Sequence, residues 1–552
     1  MSEHNDREVQ NDGGARDGAG GPGGGPGAGP AGGPGGGGAQ RAGRSRGAGR
    51  PGAAGRPGGS GRARSSGRPE PTERRGRRQG GARRGAGRPL AGPLPVEEHE
   101  VTVGAPAHGG HCVARLDDRV VFVRHTLPGE RVRIRITEKR SRFWRADAVE
   151  VLDASADRVP SVWPEAGPGG VGGGELAHVA LPAQRQWKAQ VLAETLRRIG
   201  GEEVAADVDA AAAVDRRHPQ GGGAGEHPGV VGEHRGVAGE HRGSAGEHRG
   251  SAGGPTVAVE ALPGDDDRGG LGTRTRIDLT VDATGLAGMH RFRSHDVLAL
   301  REMPLADPAL LTLDLLGETA WRRAWHPGAR VEAVAPSAGE PMVLVDGEVA
   351  TLRKRSGPPR RAVRERVESS VGELTYRVSA TGFWQVHRLA ATTLVEAVLA
   401  AAGPLAGRRV LELYSGAGLL TLPLARSTGA GGAVLSLEGA EDAVRDARRN
   451  LHEHPDTLLH HGRVDPAAVA ELGEQADVVV LDPPRAGAGA GVMHAVADLS
   501  PETIVHVACD PAALARDLRA ARERGYTVAA VRAFDLFPHT HHFEVVAALR
   551  RD

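Results

Sequence analysis

From about Leu374 onward, short apolar runs alternate with helical stretches, and this alternation restricts the fold more than any other feature of the chain. The runs are RRVLELYS, GAVLSLEG, LLHHGRVD, ADVVVLDPP, TIVHVACDP and YTVAAVRAFDLFP. Near-continuous apolar strands separated by helices predict a parallel sheet covered on both faces, a doubly wound α/β layer. A last run, HHFEVVAALRR, follows after only a tight turn. So short a connection permits only an antiparallel hairpin, because parallel neighbours need a long crossover. The expected sheet is mostly parallel with an antiparallel final strand.

The rest of the chain divides by composition. Residues 1–93 are Gly, Pro, Ala and Arg with almost no large apolar side chain, so they cannot bury enough surface to offset the entropy of ordering and are expected to be a disordered tail. Between Gly18 and Gly92 this tail carries 15 Arg against two acids, Glu70 and Glu73, although the whole chain is only +1. Such a tail is either a non-specific RNA tether or a solvated linker. Residues 94–155 alternate with period two around a Pro128-Gly129 turn, the pattern of a small antiparallel β-barrel. Arg124, Arg131, Arg133, Arg135, Lys139, Arg140, Arg142 and Arg145 recur through it beside Phe143 and Trp144, which suits RNA backbone contact and stacking but also a solvated strand face.

Residues 156–373 read as a central mixed α+β domain, with an amphipathic helix at QWKAQVLAETLRRIG and strands within RTRIDLTVDATGLAGMHRFRSHDVLALREMP. A seven-residue repeat of the type GEHRGSA, within 218–255, interrupts it. The unit lacks coiled-coil apolar positions and is too short for a solenoid, so a surface loop is expected. Its histidines His227, His234, His241 and His248 could hold a metal, but on a flexible Gly-rich segment none is expected to. Residues 374–552 are the expected catalytic domain. The only cysteines, Cys112 and Cys509, have no partner pattern, which argues for a reducing compartment and a cytoplasmic location. No apolar run approaches membrane-spanning length.

Three motifs carry chemistry. VLELYSGAGLLTLPLA, Val410 to Ala425, is a buried strand, a turn at Gly416 and Gly418, and a helix start, the place where open α/β sheets bind ligands against bare backbone. Glu438 ends the next strand, where an acid can accept hydrogen bonds from ribose hydroxyls. VVVLDPPRAG sets Asp482 at the mouth of the fourth strand in a loop stiffened by two prolines. Methyltransferases of exocyclic amines use a similar acidic-Pro-Pro turn followed by a stacking aromatic, but here Arg485 follows. In VHVACDPAALARDL, Cys509 ends the fifth strand just before a helix starting near Pro511, so the macrodipole is expected to lower the thiol pKa. Glu544 in HTHHFE stands on the hairpin to the last strand. A thiolate and a carboxylate at neighbouring strand ends are the pair needed to methylate a pyrimidine carbon: the thiolate adds to C6, and the base removes the C5 proton.

These motifs, FWQVH (Phe383 to His387), LELYSGAG, LEGA, LDPPRAG, ACDP and PHTHHFE, together resemble the RNA uracil-5 methyltransferase family, over about Leu94 to Arg551 apart from the repeat. The resemblance implies a class I methyltransferase fold (Rossmann-like, with an antiparallel last strand) preceded by a TRAM barrel and a central α+β domain, and an enzyme transferring methyl from S-adenosylmethionine to C5 of a uridine in structured RNA. It places cofactor contacts on Gln385, Tyr414, Glu438 and Asp482, beside the turn at Gly416 and Gly418 already read as cofactor-binding, with the nucleophile on Cys509 and the base on Glu544. 23S rRNA is favoured over tRNA as substrate, and a monomer with RNA as partner is expected.

Many family members carry an iron–sulfur cluster on a Cys-rich segment. The matching VWPEAGPGGVGGGELAHV contains no cysteine, so no cluster is expected. Asp510 and His387 stand where the family often has Asn. The alternatives are an RNA cytosine-5 methyltransferase, disfavoured because DPPR lacks a second cysteine, and a non-catalytic RNA-binding protein with this fold, disfavoured because Cys509 and Glu544 are both present.

Overall fold

The computed structural model describes residues 97–217, 257–352, 360–472 and 476–551. The Arg-rich tail and the heptapeptide insert lie outside the described residues. The first sheet comprises β1 (Glu98–Thr102), β2 (Pro106–Ala107), β3 (His111–Leu116), β4 (Arg119–Arg124), β5 (Arg131–Lys139) and β6 (Phe143–Asp153), in the order β1-β5-β6-β4-β3-β2. Alternating Val121, Val123, Val132, Ile134 and Ala146 fill its core, and Gly129 at φ +85° turns the chain between β4 and β5. It is not wholly antiparallel: β4 and β6 run parallel.

The cations expected to face RNA are mostly paired within the sheet. Arg131 meets Asp153 and Glu100, Arg133 meets Glu100 and Glu150, Arg135 meets Glu98, Lys139 meets Glu97, and Arg140 and Arg145 share Glu138. The alternation on β5 is therefore matched by acids on β1 and β6. These cross-strand pairs account for the pattern without a ligand.

Helix α1 (Leu181–Thr195) runs into a π-helical turn at Leu196–Gly200, and α2 (Glu202–Arg217) follows, then β7 (Val259–Glu260). An antiparallel central sheet has the order β10-β9-β8-β11-β12-β13, from β8 (Arg276–Val281), β9 (Ala287–His290), β10 (Val297–Ala299), β11 (Arg330–Val334), β12 (Met342–Val345) and β13 (Glu348–Ala350). Leu279, Val281, Trp321, Trp325 and Val331 form its core. A hairpin of β14 (Ala362–Ser369) and β15 (Gly372–Ser379) leads into the last domain.

There α3 (Ala390–Ala402), β16 (Arg409–Leu413), α4 (Thr421–Thr428), β17 (Ala433–Glu438), α5 (Glu441–Asn450), β18 (Thr457–His461), α6 (Pro466–Glu471), β19 (Val478–Leu481), α7 (Ala490–Asp498), β20 (Thr503–Ala508), α8 (Pro511–Arg522), β21 (Tyr526–Phe534) and β22 (Glu544–Arg551) alternate as the sequence pattern requires. The sheet order is β18-β17-β16-β19-β20-β22-β21-β7, parallel except for β22, which runs antiparallel to both neighbours. The link from β21 to β22 spans residues 535–543, a longer connection than the tight turn expected, and the antiparallel sense is retained.

Part of the region expected as central domain is built onto this sheet. β7 pairs with the edge strand β21, and Leu192, Leu196, Val204 and Val208 of the two preceding helices share one core with Leu514, Leu518 and Tyr526. A buried ion pair fixes the seam: Lys188 Nζ donates to Asp535 Oδ1 at 2.5 Å and to the Phe537 carbonyl at 3.1 Å, with both charged side chains essentially inaccessible. Removing one member of such a pair strands the other charge in a dry interior. Lys188→Ala is expected to destabilise the fold by about 3–5 kcal/mol, read as a fall in chemical-denaturation midpoint, and a variant with an unchanged midpoint would show that the seam does not depend on this pair.

Candidate active site

Strand register assembles the site. Tyr414 follows β16 and its N–H donates to the Leu437 carbonyl at 2.9 Å, which sets it beside Glu438 at the end of β17. Asp482 follows β19, with its N–H directed at the Leu413 carbonyl at 3.4 Å. Glu438, Tyr414 and Asp482 thus form one row across the carboxyl ends of three neighbouring parallel strands. Farther along, Ala508 of β20 faces Val545 of β22, so the next step outward sets Cys509 opposite Glu544. The two residues predicted to do the chemistry stand side by side where the antiparallel pair ends.

The turn after β16 has the properties a bound ligand requires. Tyr414 sits at φ +65°, a strained conformation for a residue with a side chain, of the kind that concentrates at functional sites. Gly416 is at φ +57° and a Cβ there would meet only open space, whereas one on Gly418, at φ +90°, would touch Ala447, Leu451 and Thr421. Glu438 accepts from Gly416 N at 2.9 Å and from Ala440 N at 2.7 Å, so its carboxylate is fixed at the rim of this turn.

Gln385 lies half-buried in the loop before α3, with Trp384 packed on Tyr376 at 5.0 Å and the Tyr376 hydroxyl donating to the Leu419 carbonyl at 2.8 Å. That chain of contacts couples the FWQVH loop to the glycine turn. His387, buried, accepts from Leu389 N on Nδ1 at 3.1 Å, so Nε2 carries the proton and donates to Asp265 at 2.9 Å. It anchors the loop in place of contacting a ligand.

One carboxyl group escaped the sequence reading. Glu412, the acid inside LELY, is 2% exposed, its Oε2 has no hydrogen-bond partner, and burial with Asp482 and Glu438 nearby pushes it up to about 8. An acid flanked by leucines in a central strand was the available signal. Burial also pushes Asp482 up to about 6, and burial together with Asp482 holds Glu544 well above the usual carboxylate range, against the pull of Arg485. The site is thus rich in acids and short of positive charge, which suits a cationic sulfonium better than a phosphate.

The thiol departs from expectation. Burial, then Glu544 and Asp482, push Cys509 up to about 12, with Arg485 opposing. Cys509 does precede α8 as expected, but Asp510 caps that helix, its Oδ1 accepting from Ala513 N at 2.7 Å, and adds another carboxylate beside the thiol. The dipole that was to lower the pKa is outweighed by burial first, and then by acids that only the fold brings close. From the first sheet, His108 Nε2 reaches Asp510 Oδ2 at 3.4 Å, and burial lowers that imidazole's pKa.

The loop bearing Asp482 and Arg485 is moored to the Cys509 helix. Asp517 of α8 accepts from Ala488 N at 2.8 Å and Gly489 N at 2.9 Å, and His506 of β20 lies 3.0 Å from the same carboxylate. A thiol with so high a pKa gains a tenfold larger thiolate fraction with each pH unit until that pKa is reached. Alkylation of Cys509 in the free protein is therefore expected to accelerate about tenfold per unit from pH 7 to 10. A plateau near pH 8.5 would contradict the raised pKa. Cys112, fully buried and itself pushed up to about 12, is not expected to compete.

Residues 94–149 match the TRAM domain model, and residues 469–552 match the family model described as tRNA (uracil-5-)-methyltransferase. The chain is 40% identical over 477 residues to an uncharacterized RNA methyltransferase of Streptomyces avermitilis, covering 82% of this chain and 98% of that one. It is 30% identical over 479 residues to the 23S rRNA (uracil(1939)-C(5))-methyltransferase of Alkalilimnicola ehrlichii, covering 83% and 98%. In fold it is similar, at a TM-score of 0.53 and 20% identity, to a tRNA (uracil-54, C5)-methyltransferase of Pyrococcus abyssi solved with S-adenosyl-L-homocysteine, over 82% of this chain and all of that one. With a TRAM domain, a class I methyltransferase sheet and relatives matched over nearly their whole length, the chain belongs to the RNA uracil-5 methyltransferase family, enzymes that take their methyl group from S-adenosylmethionine.

Proposed function

We propose that this enzyme methylates C5 of a uridine in structured RNA through a covalent adduct on Cys509. The observation that carries the reading is the register that sets Cys509 opposite Glu544 at the end of the β20–β22 ladder. Gln385, Tyr414, Gly416, Gly418, Glu438 and Asp482 would hold S-adenosylmethionine, which supplies an electrophilic methyl group; the open space over Gly416 and the acidic surroundings fit it.

Uracil C5 is a poor nucleophile until a thiolate adds to C6. The Cys509 sulfur forms the C6 bond, the C5=C6 electron pair moves through the ring toward O4, and C5 becomes enolate-like. Arg485, whose charge acts on both Cys509 and Glu544, favours the thiolate and the growing negative charge on the base. Once C5 carries the methyl, Glu544 takes the remaining C5 proton, and the C6–S bond breaks to return Cys509 and the C5=C6 double bond. Reaching C5 requires the uridine to leave its stack.

Ribosomal RNA is the favoured substrate, on the likeness to the Alkalilimnicola enzyme. The reading for tRNA rests on the family model's description. Action on cellular RNA would place the enzyme in the cytoplasm, and the proposed site draws on one chain, as in a monomer. Among the described residues no helix is long and apolar enough to cross a membrane.

RNA containing 5-fluorouridine has fluorine where Glu544 needs a proton, so elimination is blocked. The intact enzyme with cofactor is expected to give a stable RNA–protein band that Cys509→Ala cannot form. Glu544→Gln is expected to accumulate the adduct on ordinary uridine RNA and to turn over at least about 100-fold more slowly. Near-normal turnover by Cys509→Ala would refute the covalent route. Running 23S rRNA fragments and tRNA transcripts in parallel separates the two substrates.

A further inference from the structure

The sequence RFRSH, Arg291 to His295, follows β9 of the central sheet and takes no part in the chemistry above. It lines an open groove of about 1300 Å³ together with Gly172. Within it Phe292 is held from two sides. The Phe292 N–H donates to the Gly170 carbonyl at 3.0 Å, and the guanidinium carbon of Arg124, from the first sheet, lies 3.5 Å from the centre of its ring.

Arg124 is 4% exposed, and its Nε and Nη2 have no hydrogen-bond partner. Burying an arginine without an ion pair is costly, and the face of Phe292 is what offsets part of that cost. The ring is therefore fixed in orientation, half-buried, with part of its surface left toward the groove.

Beside it Arg293 stands at φ +57°, a conformation that a long side chain adopts only under constraint. Its guanidinium carbon is 5.3 Å from the Phe292 ring centre and it pairs at 3.3 Å with Glu138, an acid that already serves Arg140 and Arg145. Arg145 and Arg293 on one carboxylate, with Arg124 against the same ring, leave positive charge over. An aromatic platform flanked by surplus cations is what a single-stranded nucleic acid uses, the ring stacking a base and the cations taking the phosphates. A duplex, with its bases already stacked, cannot use the ring.

One wall of the groove reaches toward the loop that precedes Glu544. A Cβ on Gly172 would lie 3.7 Å from Phe292 and 3.8 Å from Glu175, whose other oxygen is 3.6 Å from His541, three residues before Glu544. We propose that Phe292 and Arg293 form a subsite for an unpaired nucleotide flanking the target uridine, Phe292 stacking on its base and Arg293 pairing with its phosphate. The inference rests on the RNA reading above and adds the requirement for a single-stranded flank.

The test uses the full-length protein and a fluorescein-labelled RNA strand, measured by anisotropy alone and annealed to its complement. Phe292→Leu keeps an apolar side chain of similar size but removes the ring, and is expected to weaken single-strand binding about tenfold at a temperature well below its melting transition, which loss of the Arg124–ring contact lowers. Arg293→Glu is expected to weaken it and to lower the salt dependence by about one ion. Single-strand affinity unchanged in both variants, or equal affinity of the intact protein for strand and duplex, would overturn the subsite. Trapping on 5-fluorouridine RNA at saturating concentration separates the two readings. Phe292→Leu is expected to retain the adduct. An intact enzyme that forms none while its binding still depends on Phe292 would retain the subsite and refute the chemistry.

Discussion

The antiparallel entry of β22 between β20 and β21 is the constraint on which the site depends. An all-parallel sheet would bring only the carboxyl ends of strands to the ligand edge. Because β22 runs the other way, its first residue, Glu544, arrives at that edge and meets Cys509, the residue after the last of β20. Two groups 35 positions apart in sequence are thereby fixed by backbone hydrogen bonds and not by side-chain contacts. The nine-residue link 535–543 supplies the reversal, and the buried Lys188–Asp535 pair holds its beginning against α1.

Electrostatics give the same edge its character. Burial raises Glu412, Asp482 and Glu544, Asp482 adds to the rise of the other two, and the thiol rises with them. A thiol left neutral at rest is protected from oxidation and unproductive alkylation, and its activation has to await positive charge at the site. Arg485 already opposes the rise in the free protein, so the cofactor's sulfonium is the natural source and reactivity would be coupled to assembly of the complex. His108, reaching Asp510 at 3.4 Å, links this edge to the TRAM sheet.

Much of this was legible in the sequence, and the boundary of legibility has physical causes. The sheet's parallel sense, its antiparallel last strand and the strand-end positions of Tyr414, Glu438, Asp482, Cys509 and Glu544 follow from local periodicity and connection length. The attachment of α1, α2 and β7 to the catalytic sheet does not, because it joins segments some hundreds of residues apart whose apolar faces carry no mark of their partner. The raised thiol pKa was hidden for a related reason: the helix start at Pro511 is visible in sequence, but the proximity of Asp482 and Glu544 exists only after folding. The basic strands of the first sheet looked like an RNA surface because their acidic partners, such as Glu98 and Glu100, lie on another strand.

The central claim is that the methyl group replaces the proton on C5, with Glu544 removing that proton. RNA transcribed with uridine tritiated at C5 measures this directly. The account requires one tritium released to water for each methyl group transferred by the intact enzyme, with release lost in Glu544→Gln while the methyl group stays on the accumulated RNA–protein adduct. Methyl transfer by the intact enzyme without tritium release would place the modification on another atom and contradict the account.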